Sequence, residues 1–275
     1  MGGFEIQLHV RGMLYGLGMI WTLLSCQPEK GVVVSQNLEV ATPEQMRLIG
    51  SAFRQQIRRM PAEFPMLSRS QYEEAYAYME QLLLMVVRTP QYQYRDYYEW
   101  SVDLIYDDSL AHAFILPGGH LFITTGLLRY IEDESQALAL IAHELYYADR
   151  EVAFEQLRAV TGGFLLGDIV LGNPVEGLDE AAQAAASISW PANAVVEADS
   201  VCVEVLCPFR YDAQALACLL EKMQQDEGQS LEWVRTHGPI SKDRIDRIRQ
   251  LATSCGYNGL THAAAWQQFI SSWLP

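Results

Sequence analysis

The sequence has no basic cluster. Nothing longer than Arg58-Arg59 occurs, and 34 acidic residues against 19 basic ones give a formal net charge of −15. Nucleic-acid binding needs groups of Lys and Arg to meet phosphates, so the charge balance argues against a nucleic-acid partner. The acidic excess reads as a solvated surface. No C-x-x-C occurs among the five cysteines, which removes the redox motif and the zinc ribbon. Internal repeats and low-complexity segments are also missing. Charged residues make up only 19% of the chain while hydrophobic ones make up 50%, so a sizeable core is expected and disorder is not.

Long apolar runs are scarce as well. Arg11 precedes an uncharged, mostly apolar stretch from Met13 to Leu24 that ends in Leu23-Leu24-Ser25-Cys26. This core is shorter than the roughly 20 residues a spanning helix takes. A basic residue, a short apolar core and a small residue before the cut are the parts of a secretory signal. Leu-Leu-Ser-Cys resembles a bacterial lipobox, with Cys26 lipidated. The expected organisation is a lipoprotein signal peptide over 1–25, a tether over 26–41 and one domain over 42–275. The expected location is the bacterial cell envelope, with the chain held to the membrane through its lipid anchor. Glu5 and the polar lead-in favour the other reading, an uncleaved anchor or a mis-assigned start. For an exported chain, Cys202, Cys207, Cys218 and Cys255 allow one or two disulfides in any of three full pairings, or four buried small hydrophobes.

Thr42-Pro43-Glu44-Gln45 predicts a capped helix running to about Arg59, and a second helix opens at Ser68 and ends before Pro90. Alternation from Trp100 to Tyr106 predicts a strand. Ala113–Leu116 and Leu121–Thr124 flank Pro117-Gly118-Gly119 and predict a hairpin. A short helix at Gly126, a long one over Glu132–Val160 capped by Asp133 or Ser135, a Gly- and Leu-rich stretch over Gly162–Gly177, and helices over Pro191–Leu206, Asp212–Gln225, Ser241–Thr253 and Thr261–Trp273 complete the chain. The sum is α+β, mostly helical, with a small antiparallel sheet.

The chemistry sits in the long helix, at Ala142-His143-Glu144-Leu145-Tyr146-Tyr147. A zincin helix carries H-E-x-x-H, because residues i and i+4 share a face and two imidazoles then converge on one metal. Here the first His and the Glu are present and position 147 is Tyr. The surrounding segments resemble one family. Ala113-Phe-Ile-Leu-Pro-Gly-Gly, Gly126-Leu-Leu and Glu134-Ser-Gln-Ala-Leu-Ala-Leu-Ile-Ala-His-Glu follow in its order, with His112 where it usually has Asn. Val195-Val-Glu-Ala-Asp199, Arg210-Tyr-Asp212, Thr236-His-Gly-Pro239 and Arg244-Ile245 continue the match. The chain is thereby similar, over about residues 70–252, to the HtpX-like and CAAX-prenyl-endopeptidase-like zinc metallopeptidases, metallopeptidase family forty-eight.

That resemblance implies a zincin-like domain with a small sheet beside the active helix. It also implies a ligand set of which His143 alone remains, since Tyr147 stands at the second His position and Val195 at the Glu position. Glu144 holds the general-base position, here vestigial. Asp199 holds the place of a carboxylate that accepts a hydrogen bond from the first His; it also reads as half of a structural pair tying two helices. Glu197, about 200° around the helix from Val195, is turned away from that site. His237 matches a loop His near the metal in some relatives, so it reads as a helper ligand or as a solvated loop residue. His120 reads as a surface residue at a strand end.

Two functions follow. One is a pseudopeptidase without cofactor, binding an extended peptide or an unfolded protein along the edge strand, in envelope protein quality control. The other is an active zinc endopeptidase with unusual ligation by His143, His237 and a carboxylate. The helix bearing His143 is expected to pack on the helix bearing Asp199, and Tyr147 and Val195 are expected to fill the metal cavity.

Overall fold

A computed structural model describes residues 34–226, 231–255 and 259–275. The segment 1–25, Cys26 and the first part of the tether lie outside these. The elements run α1 (Pro43–Arg58), α2 (Glu73–Val87), β1 (Ser101–Ile105), β2 (Ala113–Leu116), β3 (His120–Thr124), α3 (Thr125–Tyr130), α4 (Glu134–Asp149), α5 (Val152–Thr161), α6 (Gly163–Leu171), α7 (Leu178–Ala186), α8 (Ala192–Phe209), α9 (Ala215–Gln225), α10 (Glu232–Thr236), α11 (Lys242–Ala252) and α12 (Ala263–Ser272).

α4 is the central element. Every one of its residues is buried, including Glu134, His143, Glu144 and Asp149. A helix that is apolar on all sides belongs in the core, where neighbours can cover every face. α4 packs most extensively on α8, and also on α2, α9, α5 and β2. Its buried acids are partnered. Glu134 accepts from the hydroxyls of Tyr78 and Tyr211. Asp149 accepts from the backbone of Tyr94 at 2.8 Å and from Arg150 at 2.5 Å. Asp133 caps the helix by accepting from the Gln136 amide.

Local chemistry builds the flanking elements as expected in several places. α1 begins with the full Thr42–Gln45 capping box. Gly118 and Gly119, at φ 79° and 92°, turn β2 into β3 in a conformation that side chains disfavour. β2 and β3 are antiparallel. The sheet as a whole is mixed, however. β1 lies parallel to β3, with Ser101 opposite His120 and Ile105 opposite Thr124, in the order β1-β3-β2. The far side of β1 is covered by the 65–67 segment, where Leu67 N donates to Leu104 O at 2.8 Å and Tyr106 N to Pro65 O at 2.7 Å. β2 is buried throughout, under α1, α4, α5 and α7.

Three expectations change. The helix over 132–160 is two helices: Glu151, at φ 63°, breaks it between α4 and α5. The Gly- and Leu-rich stretch contains α6, and α7 follows it. His120 is 1% exposed, not a surface residue. Its Nδ1 lies 2.8 Å from Ser101 Oγ and its Nε2 3.4 Å from Ser51 Oγ.

Burial, aided by the Arg54 charge, lowers the His120 pKa to about 4. The unfolded chain, with an ordinary value near 6.5, therefore takes up the proton first. The contribution to stability is complete above pH ~6.5 and is lost as pH falls through about 4, a swing of roughly 3 kcal/mol. His112 and His143 are shifted down by burial too and act in the same direction. Urea unfolding should therefore show stability falling between pH 6.5 and 4. His120→Asn should remove part of that slope; an unchanged slope would contradict the assignment.

Candidate functional site

Four elements meet around His143. α4 brings His143, Glu144 and Tyr147; α8 brings Val195 and Asp199; α10 brings Trp233 and Thr236, with His237 as its C-cap; α11 brings Arg244 and Arg247. Trp190 stands just before α8. His143, Glu144, Tyr147, Asp199, Trp233 and His237 are all 0% exposed. His237 is thus no solvated loop residue.

Asp199 holds the cluster together. Its Oδ1 accepts from His143 Nε2 at 3.1 Å. Arg244 grips both its oxygens, through Nη2 at 2.8 Å and Nε at 2.9 Å, and Arg247 Nη2 adds a bond at 2.9 Å. A planar guanidinium matches a carboxylate in this two-pronged way, which suits it to a buried ion pair. Burial pushes the Asp199 carboxyl up, but the hydrogen bonds from His143 and Arg244 outweigh it and bring its pKa down to about 2. Burial lowers the His143 pKa, with Asp199 opposing. A neutral His143 then donates through Nε2 and presents Nδ1 as acceptor.

Tyr147 faces that second nitrogen. Its hydroxyl is 3.4 Å from His143 Nδ1. Its ring stacks on Trp190 at 4.1 Å and 8°, and it lies 5.7 Å from the ring of His237. Burial pushes its pKa well up, so the oxygen keeps its proton and offers no anionic donor. Val195, 5% exposed, borders a small pocket of about 170 Å³ together with His237, Pro239, Arg244 and Arg247. Glu197 is exposed and accepts from the Tyr146 hydroxyl at 2.5 Å.

Glu144 is fully engaged through one oxygen. Trp233 Nε1 donates to Oε1 at 2.7 Å, and His237 Nε2 lies 2.8 Å from the same atom. Oε2 has no hydrogen-bond partner among the described residues. His237 Nδ1 is 2.7 Å from the Trp233 carbonyl, which makes it the donor, and Nε2 accepts from Trp190 Nε1 at 3.0 Å. Trp233 also stacks on the His237 ring at 4.2 Å.

His143, Glu144 and His237 each offer one ligand atom, all within 4.8 Å of one another. A catalytic zinc needs three such donors and an open position for water. These residues do not fit that need. His143 Nε2 is bound to Asp199, and its Nδ1 meets the Tyr147 hydroxyl. Two indole N–H groups point at His237 Nε2 and Glu144 Oε1, so positive dipole ends occupy the directions from which those atoms would bind a cation. Glu144, as a ligand, would also no longer be free to act as a base.

The two tryptophans and the paired arginines were not assigned roles from the sequence. One signal was available: Arg244 and Arg247 fall three apart, on one face of α11.

The model of peptidase family M48 matches residues 73–252. Among curated proteins the chain is 27% identical over 161 residues to the mitochondrial metalloendopeptidase OMA1 of Arabidopsis thaliana, covering 55% of this chain and 31% of that protein. It is 27% identical over 158 residues to its Schizosaccharomyces pombe counterpart, covering 55% and 46%. To the beta-barrel assembly-enhancing protease of Yersinia pestis it is 27% identical over 182 residues, covering 60% and 35%. In each case the match takes in less than half of the relative's length.

Removing one partner of a buried ion pair leaves the other charge stranded, at about 3–5 kcal/mol. Arg244→Met should therefore lower unfolding stability by that order in a urea titration, whereas Arg247→Met, at the half-exposed residue, should have a smaller effect. Equal losses for the two would show that the Arg244 fork does not dominate.

Proposed function

Since the chain belongs to peptidase family M48, we propose that it is a member whose metal site has been converted into a buried hydrogen-bond network, and that it acts by binding rather than by hydrolysis. The carrying observation is Tyr147. Its ring stacks on Trp190 and its hydroxyl faces His143 Nδ1, in a cluster with no exposed atoms on His143, Glu144 or His237. Glu144 has no exposed atom, its Oε1 already accepts from Trp233, and His237 Nε2 lies 2.8 Å from that same oxygen. The partner in this reading is an extended or unfolded chain that pairs with β2, whose second edge pairs with no strand among the described residues. Because α7 packs on β2 and the carbonyl of Ala186 is 2.7 Å from His112 Nε2, α7 must move aside for such pairing.

The purified protein should hold no stoichiometric zinc by elemental analysis and show no chelator-sensitive cleavage of casein. Tyr147→His with Val195→Glu restores the family's ligand types. Zinc gained by that double variant alone supports the reading. One tightly bound zinc in the unaltered chain would overturn it. It would instead favour the second reading, an active endopeptidase using the His143, Glu144 and His237 donors, which the 4.8 Å cluster keeps in view.

The same proposal places the protein in a bacterial envelope, anchored through a lipidated Cys26. One observation supports this location. Cys207 and Cys255 form a disulfide, Cα–Cα 5.5 Å, tying the end of α8 to the turn after α11, as an oxidising compartment permits. Cys202 and Cys218 stay free, buried and half-buried. No helix among the described residues is long and apolar enough to cross a membrane. Cys26→Ala should shift the protein from the membrane fraction to the soluble one; unchanged fractionation would sink the lipid anchor.

A further inference from the structure

The chain before α1 does not leave the domain freely. Residues 35–38 are strapped along α6. Ser35 Oγ donates to Asp168 Oδ1 at 2.5 Å, and Leu38 N donates to Gly163 O at 3.0 Å. The contact is close because two glycines four apart on α6 admit backbone. A Cβ on Gly167 would lie 1.9 Å from Gln36 O, and one on Gly163 would lie 2.1 Å from Asn37 Oδ1. The strap and α6 run in opposite directions, so Val34 emerges on the Asp168 side of the helix.

Exposed apolar residues flank the strap, from Val34 at one end to the α5–α6 junction at the other. Val34 is 76% exposed, Phe164 on α6 is 59% exposed and Val160 at the end of α5 is 53% exposed. Leu165, Ile169 and Val170 are partly buried beside them. From Thr161 to Leu171 the one charged residue is Asp168, and it is held by Ser35 and Asn173. In a chain of net charge −15 this is an unusual stretch of surface.

We propose that the α5–α6 junction, with Phe164 at its centre, rests on the surface of the lipid bilayer and fixes the orientation of the domain there. The inference rests on the lipid anchor at Cys26. Seven residues, eight Cα-to-Cα steps, separate Cys26 from Val34, so the exit point lies no more than about 29 Å from the anchored residue. The acyl chains hold the protein to the membrane. Which face then meets the headgroups is set by charge and apolar area. Acidic faces are repelled by an anionic leaflet, while the nearly uncharged α6 face is not and can insert an aromatic ring.

The test uses full-length protein purified from bacterial membranes and reconstituted into phosphatidylethanolamine–phosphatidylglycerol vesicles. A photoreactive benzophenone amino acid is placed at position 164, or at position 251 on α11 as an exposed control. On irradiation of the floated fraction, lipid adducts at 164 should exceed those at 251 by at least tenfold. Equal yields would overturn the proposal, as would adducts at 164 that join two protein chains in place of lipid. Flotation judges the anchor separately. If protein with Cys26 intact fails to float, the anchor reading falls and this inference with it. If it floats, and Cys26→Ala does not, the adducts at 164 judge the α6 surface alone.

Discussion

The Asp199 carboxylate is the fixed point of this molecule. It is a full charge with no solvent around it, and four hydrogen bonds from three side chains make that tolerable. The donors come from two helices, His143 from α4 and both Arg244 and Arg247 from α11, with Asp199 itself on α8. A buried charge is stable only while all its partners stay in place. The three helices are therefore locked in one relative arrangement, and Arg244 extends the lock to the His237 carbonyl at 3.0 Å.

In a zinc peptidase, the metal itself would cross-link the helix bearing the His-Glu pair to the helix bearing the third ligand. Here the cross-link between α4 and α8 is organic. The ion pair does part of it. The rest is the stacking of Tyr147 on Trp190, which stands just before α8. The Trp190 and Trp233 indoles satisfy their N–H groups on the imidazole and carboxyl that would otherwise be left without partners in the core. Buried polar groups must be paired or they destabilise the fold, and losing a metal creates several such groups at once.

Much of the fold was legible because its signals are local. The Thr42–Gln45 box, the Pro117-Gly118-Gly119 turn and the Asp133 cap each depend on a few adjacent residues. The ordered segments around His143 identified the family through the same adjacency. What escaped notice was non-local. A helical pattern from Glu132 to Val160 does not reveal that Glu151 takes a left-handed conformation, because nothing in a Glu favours it. Alternation marks β1 as a strand but says nothing about whether its neighbour runs parallel. His120 and His237 were read as exposed or helper residues because polarity was weighed without knowing which helices cover them. The tryptophans escaped because a lone Trp before a helix has no chemistry until the fold sets an imidazole 3.0 Å from its nitrogen.

On the proposed reading, losing the ligands and closing the cleft form one coupled change. Tyr147 is held by Trp190, Trp190 donates to His237, His237 leans on Glu144, and Glu144 takes the second indole. A single His at position 147 would remove the stacking partner of Trp190 and add an imidazole beside His143 and His237, whose Nε2 atoms already meet Asp199 and Trp190. A single Glu at position 195 would put a carboxylate on α8 one turn before Asp199, beside Arg244 and Arg247, which could pair with it and weaken their hold on Asp199. Neither step alone restores the family's ligand set, and each disturbs the existing contacts. Such coupling makes the effects of neighbouring substitutions non-additive. On that reading it would also keep the closed state in place, since the route back requires two ligands and the reopening of a water-accessible position together.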